Sequence, residues 1–304
     1  MLKFELINTK PLYLQGLFLF FITDLFIWVS LPGLSGGFIL DDYANLENLG
    51  QVSNTTELLK FILNGISSTL GRPISLLSFA FQAEHWPHNP FPFKFVGLVI
   101  HILNAWLVYL CCRLIASLKN WPERSGFIFA GTVFGLWLFH PLNISTVFYV
   151  VQRMTLLAAF FSLIGIAGFL WGFRLSVNGQ SKKGLIIATL GITITYVLGI
   201  LSKENAVLTG LGISVLYWLL LRPQHSETPL SLWEEDGMKG LKSSYIPHPS
   251  PLPEGEGIYG NPHNSSLWDK WIIIFGVLPS LIILTYLCFH LDQHTRGDFT
   301  PYQR

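Results

Sequence analysis

Apolar residues in this chain come in long unbroken blocks rather than in alternation. The blocks are Leu12–Leu31, Phe93–Ile115, Phe127–Phe139, Met154–Phe173, Gly184–Leu201, Ala206–Leu221 and Trp271–His290. Most reach about 18 residues, the length a helix needs to cross a hydrocarbon core of about 30 Å. The block at Phe127–Phe139 is short. A soluble protein with several buried helices is the competing reading, and the number of blocks argues against it. The pattern predicts an all-α, polytopic transmembrane helix bundle of about seven spans.

Between the first and second blocks lies a long loop, roughly residues 36–92, with helical signals of its own. "NTTELLKFILNGI" (54–66) opens on a capping Asn54 or Thr55 and has apolar residues at helical spacing. "RPISLLSFAFQAEHW" (72–86) has Pro73 where a helix would start. Both read as interfacial helices lying flat on the outer leaflet. "PHNPFPF" (87–93) is a stiff connector into the second span.

Charge supplies the orientation. Twelve of the nineteen lysines and arginines fall on cytoplasmic segments if the N-terminus is placed inside. The long first loop is then extracytoplasmic, and an odd span count leaves the C-terminus outside. Lys3 and Lys10 before the first block are compatible with a signal peptide, but the block is long and ends in "SLPGLSGG" without a small-residue cleavage site. An uncleaved anchor is the better reading. Charged residues make up 12% of the chain, against about 25% in soluble domains. The net charge of +1 argues against a nucleic-acid partner. Cys111, Cys112 and Cys288 all fall in apolar blocks, with neither disulfide nor metal spacing.

Polar residues inside the blocks stand out. His101 and Asn104 share a helix face and predict interhelical hydrogen bonds. Asp24 sits near the middle of the first span, where a carboxylate costs a few kcal/mol and needs a partner or a role. Residues 223–268 interrupt the pattern. "PHPSPLPEGEGIYGNPHNSS" is too rich in Pro, Gly and Ser to bury a core, and it resembles translated copies of a short palindromic repeat of bacterial genomes. It reads as a disordered cytoplasmic insertion between a module at 1–222 and a final span at 269–304.

Five segments in one order resemble a known family: "FILDDYANL", "GRPISLLSFAFQ", "LVIHILNAWLVYL", "FHPLNISTVFYVVQRMTLLAAFFSL" and "LSKENAVL". They are similar to the polytopic GT-C glycosyltransferases, in particular the transmembrane-and-TPR O-mannosyltransferases and their bacterial relatives. The resemblance implies a multi-pass protein of the bacterial inner membrane that takes a sugar from a polyprenyl-phosphate donor. The sugar would pass to a protein or glycan acceptor on the extracytoplasmic side. Full-length members carry several more spans and often soluble TPR repeats, so the chain is read as an N-terminal part, with either a truncated gene or a second chain that supplies the rest.

Such chemistry asks for a base or metal ligand near the acceptor, cations for the leaving phosphate, and a greasy groove for the lipid tail. Asp42, with Asp41 beside it, fits the first role: two close carboxylates repel, burial raises one pKa, and proton abstraction follows. A divalent cation, Mg or Mn, held by Asp41 and Asp42 is the alternative. A plain helix cap opening at Tyr43 is a third. Arg72, Arg153 and Lys203 lie at span ends on the outer side and are candidates for the phosphate, Arg bidentately and Lys as a point charge. Interfacial snorkelling is the competing role for each. His140, before Pro141 at the expected end of the third span, is a further phosphate candidate. Glu204 and Gln152 are supporting residues. Animal members resemble "HP" followed four residues after the proline by a glutamate; here that position is Ser145. The departure weakens a metal site that needs a second carboxylate. The competing function is a truncated, non-catalytic polytopic membrane protein, either a remnant or a scaffold that needs a partner chain.

Overall fold

The structure, a computed structural model, describes residues 10–63, 65, 70–222 and 262–296. It is helical throughout and shows no strand among the described residues. Proline sets many of the boundaries: Pro73, Pro92 and Pro141 each occupy a first helical turn, where the missing N–H costs nothing. The helices are α1 (Lys10–Ser30), α2 (Asp41–Leu46), α3 (Thr55–Leu63), α4 (Pro73–Ala80), α5 (Phe91–Leu118), α6 (Glu123–Leu138), α7 (Pro141–Phe148), α8 (Arg153–Val177), α9 (Ser181–Ile194), α10 (Leu208–Leu216), α11 (Pro262–Trp271) and α12 (Leu278–Arg296). Short π-helical turns extend α9 to Gly199 and α10 to Leu221, and a third joins α11 to α12.

Six stretches are long and apolar enough to cross a membrane: Tyr13–Ser35, Phe91–Leu118, Val150–Val177, Ser181–Gly199, Glu204–Leu221 and Ser265–Phe289. A seventh crossing exists if α6 and α7, bent by 54°, act as one broken span. The all-α polytopic bundle expected from the apolar blocks is what the chain forms.

The block at Phe127–Phe139 differs from a simple span. At 16 residues, α6 rises only about 24 Å. Its end is fixed by His101 Nε2, 3.1 Å from the Leu138 carbonyl, and by Asn143 Nδ2, which donates to the Trp137 carbonyl at 2.9 Å. Last-turn carbonyls have no donor within their own helix, so these side chains complete them. His101 lies ten residues into α5, about 15 Å from its start. The His140-Pro141 break is therefore sunk well below the end of α5, not at the outer end of a span, and α7 climbs the remaining distance. Beside it the Gly97 Cα faces the Val147 carbonyl so closely that a Cβ would stand 2.9 Å away.

α5 is the central helix. Lys94, Gly97, Leu98, His101, Asn104, Ala105 and Val108 form its buried stripe. As the spacing predicts, His101 and Asn104 make interhelical bonds, the latter by donating from Nδ2 to the Leu156 carbonyl of α8 at 3.0 Å. α8 and α9 make the tightest contact. Gly172 and Gly184 meet backbone to backbone, and a Cβ on either would collide with the other's carbonyl oxygen. Small residues let helices approach this closely, where packing must replace the hydrophobic drive that lipid removes.

Two sequence-based boundaries are corrected. Residues 223–261 lie outside the described residues, but 262–268 are helical, not part of a disordered insert. Trp268 and Trp271 of α11 are buried among Phe169, Phe173 and Tyr217, and that aromatic packing holds the helix. In the long loop, α3 begins as expected: Asn54 Oδ1 accepts from the Glu57 N–H at 3.0 Å, while Ser53 donates N–H and Oγ to Glu57. α4 is shorter than the expected 72–86. Ser75, Leu76 and Phe79 are buried, and the helix stops at Ala80 because the chain turns there to dock on the bundle.

Replacing Gly172 by leucine is expected to prise α8 from α9 and cost about 1–3 kcal/mol. Denaturant unfolding in detergent micelles measures it, with Gly212→Leu, where a side chain meets open space, as the neutral control.

Candidate functional site

The long loop and the turn before α10 meet on the same rim of the bundle, and the candidate residues gather there. α2 opens after Leu40, whose φ of +43° is a strained conformation for a bulky residue. That turn points Asp42 inward. Its carboxylate is fully buried and accepts two backbone N–H groups, Ile39 at 2.9 Å and Val151 at 2.7 Å. The second bond pins α2 to the start of α8. Asp42 does not cap its own helix. Burial raises its pKa above the usual 3.8, opposed by the two N–H bonds and by the Lys94 charge, and reinforced by Asp41.

Asp41 behaves differently. It is exposed, and its backbone N–H donates to Tyr149 Oη at 2.8 Å. One carboxylate therefore holds α2 in place while the other faces out. The two do not form a metal cage: among the described residues no three His, Cys, Asp or Glu side chains converge, and both oxygens of Asp42 already accept N–H bonds. The donor set does not fit a resident divalent ion.

Lys94 is the residue that motif reading missed. It is buried in the first turn of α5, and its ammonium lies so near Gly36 that a Cβ there would stand 2.8 Å from Nζ. Among the described residues it makes no hydrogen bond; only the attraction of Asp42 reaches it. The signal was present in the spacing, since Lys94 lies seven residues before His101, on the stripe that α5 buries.

A second polar group lies on the other side of residues 151–155. Arg72, with φ +54°, precedes α4 and forks onto Glu204: Nε is 3.3 and 3.2 Å from the two carboxylate oxygens, and Nη2 is 3.0 Å from Oε2. Lys203 Nζ donates to Thr155 Oγ1 at 2.7 Å, and Thr155 donates to Gln152 Oε1 at 2.8 Å. Burial, and then the nearby Arg72 charge, lower the Lys203 pKa, with Glu204 opposing. The Ile74 N–H and the Ser75 hydroxyl bond the carbonyls of Leu201 and Ser202, which seats α4 on this turn.

Arg153 stands between the two groups and is enclosed by protein. Nη1 donates to the Ser78 carbonyl at 2.9 Å, and Nη2 donates to Gln82 Oε1 at 2.6 Å and to the Phe93 carbonyl at 2.8 Å. The guanidinium lies 4.4 Å from the Phe79 ring centroid. It clamps α4 to α5 and α8. His140 is exposed, its ring accepting from the Leu142 N–H at 3.3 Å; no hydrogen bond or ion pair joins it to either polar group. Ser145 is also exposed and bonds the Leu142 carbonyl within its own helix.

Two outcomes test this geometry. Arg153→Met removes three charged hydrogen bonds worth about 1.5–3 kcal/mol each before relaxation, so unfolding in detergent is expected to lose about 3 kcal/mol or more. The raised Asp42 pKa means that the folded state binds the proton more readily than the unfolded state, so stability falls as pH rises upward from 3.8 through the raised value. Unfolding followed across that window is expected to show this slope in the wild type and a flatter one in Asp42→Asn.

No family model and no solved structure matches the chain. The chain is 26% identical over 132 residues to the protein O-mannosyl-transferase Tmtc1 of Drosophila melanogaster, a similarity covering 40% of this chain and 14% of that protein. The chain thus corresponds to a small part of that relative's length.

Proposed function

We propose that this chain forms the rim of a glycosyltransferase-like membrane site that moves a sugar from a polyprenyl-phosphate donor to a protein or glycan hydroxyl, on the side expected to be extracytoplasmic. The carrying observation is the division of labour in the Asp41-Asp42 pair next to Lys94, whose ammonium has no hydrogen bond among the described residues. The similarity to an O-mannosyl-transferase supports the reaction class.

In this reading Asp41 accepts the hydroxyl proton, because it is the carboxylate that faces out, while Asp42 holds α2 in position. The acceptor oxygen bonds the anomeric carbon as the bond to phosphate oxygen breaks, and the phosphate keeps the electron pair. Lys94 is free to meet that charge, and Lys203 and Arg72 stand across residues 151–155. Val151 and Thr155, which bond the two sides, are separated by about 6–8 Å of helical rise. A cavity of about 120 Å³ below the rim, between Phe26, His101, Phe139 and Phe148, offers apolar surface to a lipid tail.

Membranes containing the chain, supplied with a labelled polyprenyl-phosphate sugar, are expected to transfer label. Asp41→Asn is expected to lower the rate by about 10²-fold or more, with insertion and stability kept. Asp42→Asn is expected to lower the rate and change stability together. Transfer that is undiminished in Asp41→Asn overturns the assignment of the base, and absence of transfer by the wild-type chain overturns the reading.

A further inference from the structure

The turn from α5 to α6, on the rim opposite the long loop, encloses a cavity of about 340 Å³ that the proposed function does not use. Its frame is fixed. The Trp121 N–H bonds the Ala116 carbonyl at 3.0 Å and the Asn120 N–H bonds the Ser117 carbonyl at 3.1 Å, a Schellman stop with Asn120 at the left-handed position. Gly126 keeps the space open: a Cβ there would stand 3.1 Å from Ala116 Cβ and 3.3 Å from Arg113 Nη1. Arg113 donates from Nη1 to the Glu123 carbonyl at 3.3 Å and pairs through Nη2 with the Glu123 carboxylate. Three of its five N–H groups remain. The Ser117 hydroxyl, the Asn120 amide and the Trp121 indole line the same cavity and bond no protein group among the described residues. The first-turn N–H groups of α6 stand beside them without a side-chain cap.

A wall of donors with one carboxylate suits an anion, and Lys119 and Arg124, exposed on the same turn, add to the positive charge. The carboxylate is no obstacle. Glu123 is 61% exposed, and an ion pair so open to solvent contributes little, so a phosphate can take the Arg113 fork from it. Depth identifies which phosphate. The cavity lies between the end of one span at Leu118 and the start of α6 at Glu123, where hydrocarbon gives way to headgroups. Trp121, a residue type of that interface, meets Phe129 edge-on at 5.2 Å, so an apolar wall continues from the polar cavity along α6. A phosphate dissolved in water has no use for such a wall. At about 340 Å³ the cavity is at the low end of ligand sites, about 300–1,000 Å³, which suits a headgroup whose chains stay outside. We propose that this turn binds the headgroup of an anionic phospholipid of the phosphatidylglycerol class, with Arg113 forked onto the phosphate and Glu123 displaced. A zwitterionic headgroup would bring its own ammonium to a wall already in excess of cations. The proposal is independent of the proposed function.

Native mass spectrometry of the full-length chain, released from micelles holding equal amounts of phosphatidylglycerol and phosphatidylcholine, counts the lipids retained. Phosphatidylglycerol is expected to be retained over phosphatidylcholine. Arg113→Gln is expected to lower its retention about 10-fold. Glu123→Gln removes the competing carboxylate and is expected to raise it. A pair that only braces the turn would respond to both substitutions in the same direction. Arg174→Gln, at an exposed arginine in the last turn of α8 on the same rim, is expected to leave retention unchanged. Inorganic phosphate at the concentration of the lipid is not expected to displace it. Circular dichroism checks the fold of each variant, and Glu123→Gln, at an exposed position, keeps the test open if Arg113→Gln fails to fold. Equal retention of phosphatidylcholine, unchanged retention in a folded Arg113→Gln, or lowered retention in Glu123→Gln would each overturn the proposal. So would a loss in Arg174→Gln as large as in Arg113→Gln, or displacement by inorganic phosphate.

Discussion

Enclosed by protein, the Arg153 guanidinium spends its Nη donors on three segments and draws them to one point. Its bonds to the Ser78 carbonyl, Gln82 and the Phe93 carbonyl hold α4 against the first turns of α5 and α8. The rest of the rim follows from that clamp. α4 carries Arg72 and Ser75 to the 201–204 turn. Phe93 precedes Lys94, so the clamp also sets where that ammonium emerges. Val151, two residues before Arg153, supplies the N–H that receives Asp42. Arg153, a phosphate candidate by sequence, is used as a joint, and Asp42, Lys94 and Arg72 are placed around it.

How much of this was legible in the sequence depends on the range of the interaction. Apolar blocks report composition over one helix, so the bundle and most spans could be read directly. The capping of α3 by Asn54 and the paired roles of His101 and Asn104 are local patterns and could be read as well. Hydropathy does not say what covers a short helix, so the burial of Leu76 and Phe79 of α4 against the bundle could not be read from it. It does not say how deep a helix starts, so His140 was expected at the rim when it sits about 15 Å below. The bonds that make the site join Asp42 to Val151 and Arg72 to Glu204, across 109 and 132 residues. No periodicity encodes pairings at that range.

Lys94 shows the same limit from the other side. By charge counting it is one more outer positive residue. Placed on the face that α5 buries, it becomes an ammonium beside a buried carboxylate with Gly36 cut back to admit it. Burial of both partners, not their presence, is what distinguishes a site from a rim.

The two rims of the bundle then differ in kind. On the rim without the long loop, positive φ falls at Gly179, where the Gln180 N–H reaches back to the Leu175 carbonyl, an ordinary helix stop, and at Asn120 between α5 and α6, a residue type that tolerates that conformation. On the loop rim, the strained residues are Leu40 and Arg72, neither of them glycine, and each stands at a group of buried or paired charges. Left-handed backbone at such residues costs of order 1–2 kcal/mol apiece. A chain that only needed to cross the membrane would gain by placing glycine there. Strain kept at both positions, beside charges that burial makes expensive, argues that this rim is shaped for what it holds.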